Sequence, residues 1–301
     1  MRLGLSGGSP SVDRTIEQAR EAEEAGFSSL WFPGGVGGDP LVSMSLAGRA
    51  TSSIELGTSV LQTYACHPVL QASRAAAAAA AMGRSGFVLG VGPSHEPVVR
   101  RSLGMSYDHP GRHTEEYVGV LTALLRGETV DFTGEDLGAR ATGTAADVPV
   151  LVAALGKRLL RVAGELAAGT ITWMANARAV AEHVSPRIRA AAEGAGRPPP
   201  RIVVGLPVAV HDDVAEARAV AGERFGFYGS LPNYRRILDI GLAAGPAEAS
   251  VVGDEEAVSA QLRELFDAGA TDVWASVFPV GGDRAESRRR TRELLSELTR
   301  G

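Results

Sequence analysis

The chain has little of several things, and each shortage excludes something. One cysteine, Cys66, stands among 301 residues, which rules out a disulfide framework and any zinc site built from several thiolates. Lys157 is the sole lysine, so arginine carries nearly all of the positive charge, and its abundance alone says little about partners. The formal net charge is −5 with no basic stripe, which argues against a nucleic-acid partner. No run approaches the roughly 18 apolar residues of a membrane span. The opening residues, MRLGLSGGSPSVDR, lack the apolar core of a secretory signal, so no membrane role and a cytoplasmic location are expected.

Familiar motifs are missing too. There is no Gly-x-Ser-x-Gly nucleophile elbow. Gly156-Lys157-Arg158 lacks the Ser or Thr of a phosphate-binding P-loop, and the glycines at 35–38 run straight into Asp39-Pro40. His109 and His113 are four apart, but Pro110 and Gly111 between them spoil a helical metal face, so no metal site is expected.

What is present is alternation. Short apolar runs at 2–7, 29–32, 54–61, 86–91, 148–152, 170–173, 202–210 and 272–277 read as strands. Helical patterns fall between them, at 10–25, 40–50, 68–82, 96–103, 112–126, 157–166, 177–192, 213–227, 232–242, 254–268 and 284–298. Parallel neighbours need crossover helices, and eight such units are the number that closes a (β/α)₈ TIM barrel. The expectation is α/β, one barrel domain over 1–301, with an insertion near 127–147 and extra helices near 231–250. An open doubly wound sheet is the rival, but no nucleotide fingerprint follows the first strand.

In a barrel the chemistry sits on the loops after the strands. Those loops hold Gly7-Gly8-Ser9, Pro33-Gly34-Gly35, Thr63-Tyr64, Gly92-Pro93-Ser94-His95, Ala153-Ala154-Leu155-Gly156-Lys157, Trp173-Met174-Ala175-Asn176 and Phe278-Pro279. Glycines admit a ligand close to the backbone. Ser94-His95 and Gly156-Lys157 precede helix starts, where free N–H groups favour an anion. That points to a phosphate-bearing small molecule across the mouth, though turn and capping chemistry explains the same residues.

These residues also carry a resemblance. Gly57-Thr58-Ser59-Val60-Leu61 followed by His67-Pro68, Phe87 to Gly92, and Ala153-Ala154-Leu155-Gly156 continued by Leu160 to Gly169 resemble the bacterial luciferase-like monooxygenase superfamily. Gly90-Val91-Gly92-Pro93-Ser94-His95, Gly104 to Asp108 and Arg112-His113 resemble its branch dependent on the deazaflavin coenzyme F420. The resemblance implies a bulged third strand with a non-proline cis peptide at Ser59–Val60, set against the cofactor ring. It implies cofactor contacts from Gly7, Ser59, Val60, Gly92, Ser94, His95 and Trp173, and a phosphate held by Ala153, Ala154, Gly156 and Lys157. It implies hydride transfer to or from a small organic substrate, and a homodimer.

The sequence departs from the family after the second strand, where relatives often place an Asp or His. Here Pro33 to Gly38 offers no titratable group, and Cys66 replaces an arginine before the His-Pro pair. Tyr64, His95 and Glu96 become the candidate acid–base residues, with His113 as a brace. FMN-dependent oxygenation, and ligand binding without turnover, stay open as alternatives.

Overall fold

The computed structural model describes residues 1–34 and 39–300. Its strands are β1 (Leu3–Ser6), β2 (Ser29–Phe32), β3 (Glu55–Thr58), β4 (Leu61–Gln62), β5 (Phe87–Gly92), β6 (Thr129–Thr133), β7 (Gly138–Thr142), β8 (Val150–Ala153), β9 (Gly169–Trp173), β10 (Arg201–Val210), β11 (Val251–Gly253) and β12 (Asp272–Val277). Parallel pairing runs from β1 through β2, β3/β4, β5, β8, β9, β10 and β12 back to β1. This closes an eight-stranded barrel, as the alternation predicts.

The helices are α1 (Val12–Glu24), α2 (Pro40–Arg49), α3 (Pro68–Met82), α4 (Pro110–Leu125), α5 (Lys157–Leu166), α6 (Ala177–Ala179), α7 (Ser185–Gly194), α8 (Val214–Gly229), α9 (Pro232–Ile240), α10 (Pro246–Ala249), α11 (Glu255–Asp267) and α12 (Arg284–Arg300). Their starts follow the local chemistry. Ser11 caps α1, and His67 caps α3 with Pro68 in the first turn, where a missing N–H costs nothing. The antiparallel hairpin of β6 and β7 stands outside the barrel, and His67 Nε2 meets the carbonyl of Gly138 in it at 3.0 Å.

Four details differ from the sequence expectations. The helix expected over 96–103 is a π-helical turn, Val98–Ser102. The third strand is two pieces, β3 and β4. The short β11 was not foreseen; it pairs with the end of β10, on the edge of β10 opposite β12. The helix expected over 177–192 is α6 and α7 joined by a wide π-helical turn, Val180–Val184. Pro186 explains the last point: its ring clashes with the carbonyl four residues back and it donates no N–H. That carbonyl, on Glu182, accepts instead from the Arg187 guanidinium at 3.2 Å, as does that of His183.

The barrel interior is filled by Trp31, Val88, Leu151, Ile171, Val203 and Trp274. A Cβ on Gly57 would overlap the Trp31 ring, and one on Gly205 the Trp274 ring, so two glycines make room for two indoles. The end away from the strand C-termini is closed by ions. Arg201 donates to Glu55 at 2.5 Å and to Asp272 at 2.6 Å, and Arg2 donates to Asp272 at 2.8 Å. The Arg201 guanidinium also lies 5.7 Å from the Trp31 ring centre.

Candidate functional site at the barrel mouth

Gly57 pairs with Val88 and Leu61 with Val91, so the Gly57–Leu61 stretch is one residue longer than its partner. The extra residue is a β-bulge, and the Ser59–Val60 peptide within it is cis. Where the ladder lapses, the Thr58 hydroxyl replaces it: it accepts from the Gly90 amide at 2.8 Å and donates to the Gly90 carbonyl at 2.7 Å. Ser59 N–H donates to the Phe32 carbonyl at 2.8 Å.

Glycines surround the bulge because nothing larger fits. A Cβ on Gly90 would overlap the Thr58 carbonyl oxygen. One on Gly34 would sit 2.7 Å from the Val60 carbonyl oxygen, and one on Gly92 would sit 2.7 Å from the Ala153 Cβ. Bulged backbone therefore fronts the mouth, with Val60 packed on the interior cluster below it. Gln62 pairs with Gly92, and Ala153 pairs with Ile171, which points inward. Gln62, Gly92 and Ala153 thus form an inward row of small residues with one amide at its end. The rest of the glycine-rich second loop, 35–38, lies outside the described residues.

Beside the bulge, Tyr64 stacks on His113 with ring centres 4.0 Å apart and planes 16° apart, and Tyr107 leans on Tyr64 at 5.5 Å. Burial, helped by the charges of Asp136 and Asp108, pushes the Tyr64 phenol up to about 12. Burial also lowers the His113 pKa, against the pull of Asp136, and keeps the ring neutral near pH 7. His113 is therefore a brace under Tyr64. Gln62 Oε1, Thr63 Oγ1, His113 Nε2 and Trp173 Nε1 are buried with no hydrogen-bond partner among the described residues. Buried polar atoms are normally paired, so this wall suits a polar ligand.

After β5, Ser94 takes a positive φ of 63°, and its carbonyl accepts from the Tyr107 hydroxyl at 2.8 Å. His95 is half-buried, 5.7 Å from the Tyr234 ring, with its pKa lowered by burial. Glu96 departs from the cluster: its side chain is 60% exposed and pairs with Arg100 at 2.8 Å. Standing just before the π-helical turn Val98–Ser102, it faces solvent and does not join Tyr64 and His95 at the mouth.

At β8 the strand runs through Ala153 into Gly156, which starts α5 with no side-chain cap. Ala154 is fully buried on the outer face of the barrel, so only its backbone is available to a ligand. A cavity of about 500 Å³ opens at this helix start, lined by Gly156, Lys157, Glu182, His183, Arg187, Arg236 and Ile240. Arg187 and Arg236 are functional candidates that sequence reasoning missed. Trp173 stacks on Trp274 at 5.1 Å and meets Phe225 and Tyr228 edge-on, each at 5.9 Å. Gly7 packs under Leu30, and its N–H donates to the Trp31 carbonyl at 2.8 Å.

The profile of the family described as luciferase-like monooxygenase matches residues 2–272. A 5,10-methylenetetrahydromethanopterin reductase of Methanolobus tindarius is 25% identical over 93% of this chain and 94% of its own. An F420-dependent hydroxymycolic acid dehydrogenase of Mycobacterium tuberculosis is 30% identical over 71% of this chain and 64% of its own. The FMN-bound oxygenating constituent of 3,6-diketocamphane monooxygenase from Pseudomonas putida shares the fold, with a TM-score of 0.73 at 17% identity, covering 99% of this chain and 97% of that one.

Proposed function

The chain belongs to the luciferase-like monooxygenase family, and on that premise we propose that it is an oxidoreductase that moves a hydride between coenzyme F420 and a small organic substrate. The observation that carries this reading is the bulge at Thr58–Val60, walled by Gly34, Gly90 and Gly92. It offers a flat ring a surface of backbone rather than side chains. The similarity to an F420-dependent dehydrogenase favours the deazaflavin over FMN. A deazaflavin would supply a carbon-centred carrier of two electrons as hydride.

The protein's part is binding, orientation and proton handling. Ser59 and Val60 would lie against the ring, with Gly7, Gly92, Ser94 and His95 around its edge. Ala153, the Ala154 backbone, Gly156 and Lys157 would hold the phosphate, and Trp173 would border the tail. Tyr64, held neutral by burial, is the proton donor or acceptor that stands in for the missing group after β2. His95 is the second candidate.

Two further readings belong with this one. We assign the whole chain to one barrel domain working in the cytoplasm; no helix among the described residues is long and apolar enough to cross a membrane. We also assign a homodimer, supported by Val42, Leu46 and Leu70, which are 65%, 43% and 56% exposed on the adjacent helices α2 and α3.

The rival is FMN-dependent oxygenation, since an FMN enzyme shares the fold. The test is consumption of reduced F420 with a panel of ketones, enones and imines under strict anaerobiosis. Turnover without oxygen supports the proposal. Turnover that needs oxygen and reduced FMN replaces it with the rival. Tight binding of F420 with no hydride transfer to any acceptor points to a ligand-binding barrel.

A further inference from the structure

Two serines face the lumen of the barrel mouth with nothing to bond to. Ser6 ends β1 and pairs with Trp31, which points inward, so the Ser6 side chain points inward too. Ser276 stands two residues beyond the inward Trp274 on β12 and shares its face. Leu5 pairs with Ala275, which puts Ser6 level with Ser276 on the adjacent strand. Neighbouring strands lie about 4.7–4.9 Å apart. Yet the two hydroxyls do not bond to each other, and neither has a hydrogen-bond partner among the described residues. Ser6 is exposed although paired strands flank it on both sides, so the space it meets is the lumen itself.

The surroundings are uncharged. Trp274 is buried beneath Ser276, and its Nε1 lacks a partner among the described residues. Pro207 is the inward neighbour of Ser276 on β10. The inward row of Gln62, Gly92 and Ala153 carries no charge either. Two unbonded hydroxyls can both donate to one acceptor oxygen. An ionised group would lose its hydration here and meet no countercharge, which is costly. The wall therefore favours an uncharged oxygen. Its place suits a substrate: β12 is reached from β3 through β2 and β1, so Ser276 looks across the lumen toward the bulge. A flat ring on the bulge would turn its free face to this wall.

We propose that Ser6 and Ser276 hold the oxygen of the organic substrate, which makes that substrate an uncharged ketone or aldehyde, or the matching alcohol. This rests on the F420 reading for the reaction but not for the oxygen site. In reduction the carbonyl carbon gains a hydride from the reduced deazaflavin. The C=O electron pair passes to the oxygen, which takes up a proton. The hydroxyls hold that oxygen in both forms, since carbonyl and alcohol oxygens both accept hydrogen bonds.

All three tryptophans lie in or against the barrel interior, so intrinsic fluorescence reports on the lumen. The test titrates the purified protein with cyclohexanone, cyclohexanol, cyclohexene and cyclohexanecarboxylate. The expected result is saturable binding of the ketone and the alcohol, each about tenfold tighter than the alkene, which lacks the oxygen, and than the carboxylate. Ser6→Ala with Ser276→Ala should bring the ketone down to the alkene, and each substitution alone should lose part of the preference. Neither hydroxyl bonds within the described protein, so the melting temperature should hold, and F420 affinity should be unchanged in the double variant. A ketone no tighter than the alkene, a preference kept in the double variant, or no saturable binding of the ketone overturns the site. A fall in F420 affinity in the double variant gives the hydroxyls to the cofactor and overturns it too. If the protein binds no F420, the cofactor reading fails, while a ketone preference lost in the double variant upholds the oxygen site on its own.

Discussion

The hydroxyl of Thr58 is bonded to both backbone groups of Gly90, accepting from its amide at 2.8 Å and donating to its carbonyl at 2.7 Å. One side chain thus completes a sheet that the bulge interrupts. Thr58→Val removes both bonds while keeping the shape, and should destabilise the fold by about 1–3 kcal/mol, because two buried backbone groups lose a partner. Gly90→Ala should do more damage, since its Cβ would overlap the Thr58 carbonyl oxygen. Urea melts of the two variants check the order; an undisturbed Gly90→Ala protein would contradict the packing described.

The ionic closure at the other end predicts acid sensitivity. Burial alone would raise the Asp272 carboxyl, but the bonds from Arg201, Thr271 and Arg2 outweigh it and hold it below its ordinary value of 3.8. A depressed carboxylate adds stability that is present above the unfolded pKa and is lost as pH falls through the folded one. Stability should therefore drop steeply below about pH 4. Asp272→Asn should cost about 3–5 kcal/mol at neutral pH, because it breaks a buried pair, and should flatten that acid limb. Denaturant melts between pH 3 and 7 measure both.

Tyr64→Phe removes the phenol and leaves the ring stacked on His113. If Tyr64 handles the proton, turnover should fall about 100-fold with cofactor affinity unchanged. With a phenol pKa of about 12, no rate change from its ionisation is expected between pH 6 and 10. An unaffected Tyr64→Phe enzyme would move the role to His95.

Gly156→Trp fills the start of α5, where a Cβ would meet the Arg236 guanidinium at an ordinary contact distance of 3.8 Å. It should weaken phosphate-bearing cofactor at least tenfold by blocking the approach to the helix N-terminus, with little change in melting temperature. Loss of the fold instead would remove Gly156 from the site.

The α2–α3 face gives a further check. Leu46→Glu places a charge amid exposed apolar residues and should convert a dimer to a monomer in light scattering. A monomeric unmodified protein would remove the dimer assignment.

Much of the barrel could be read beforehand, for a physical reason. Parallel strands buried on both faces show as apolar runs, and Pro, Gly and Ser residues mark helix ends. Val251–Gly253 escaped because three residues are too short for a periodic signal. The bulge escaped a residue-by-residue reading because Thr58, Ser59 and Val60 look like strand formers; the resemblance alone located it. The closure by Glu55, Arg201 and Asp272 escaped because its members are far apart in sequence, 146 residues for one pair and 71 for another. Arg187 and Arg236 were lost among the many arginines of a lysine-poor chain. Glu96 is a candidate by its place beside His95, but it is exposed and pairs with Arg100 of the π-helical turn Val98–Ser102.

The central claim is that the bulged, glycine-walled mouth with its basic pocket holds coenzyme F420. Fluorescence titration of the purified protein with F420, with FMN in parallel, tests it most directly. The account predicts saturable binding of F420 and at least tenfold weaker binding of FMN, a difference of about 1.4 kcal/mol or more. Selective binding of FMN, or of neither, would contradict it.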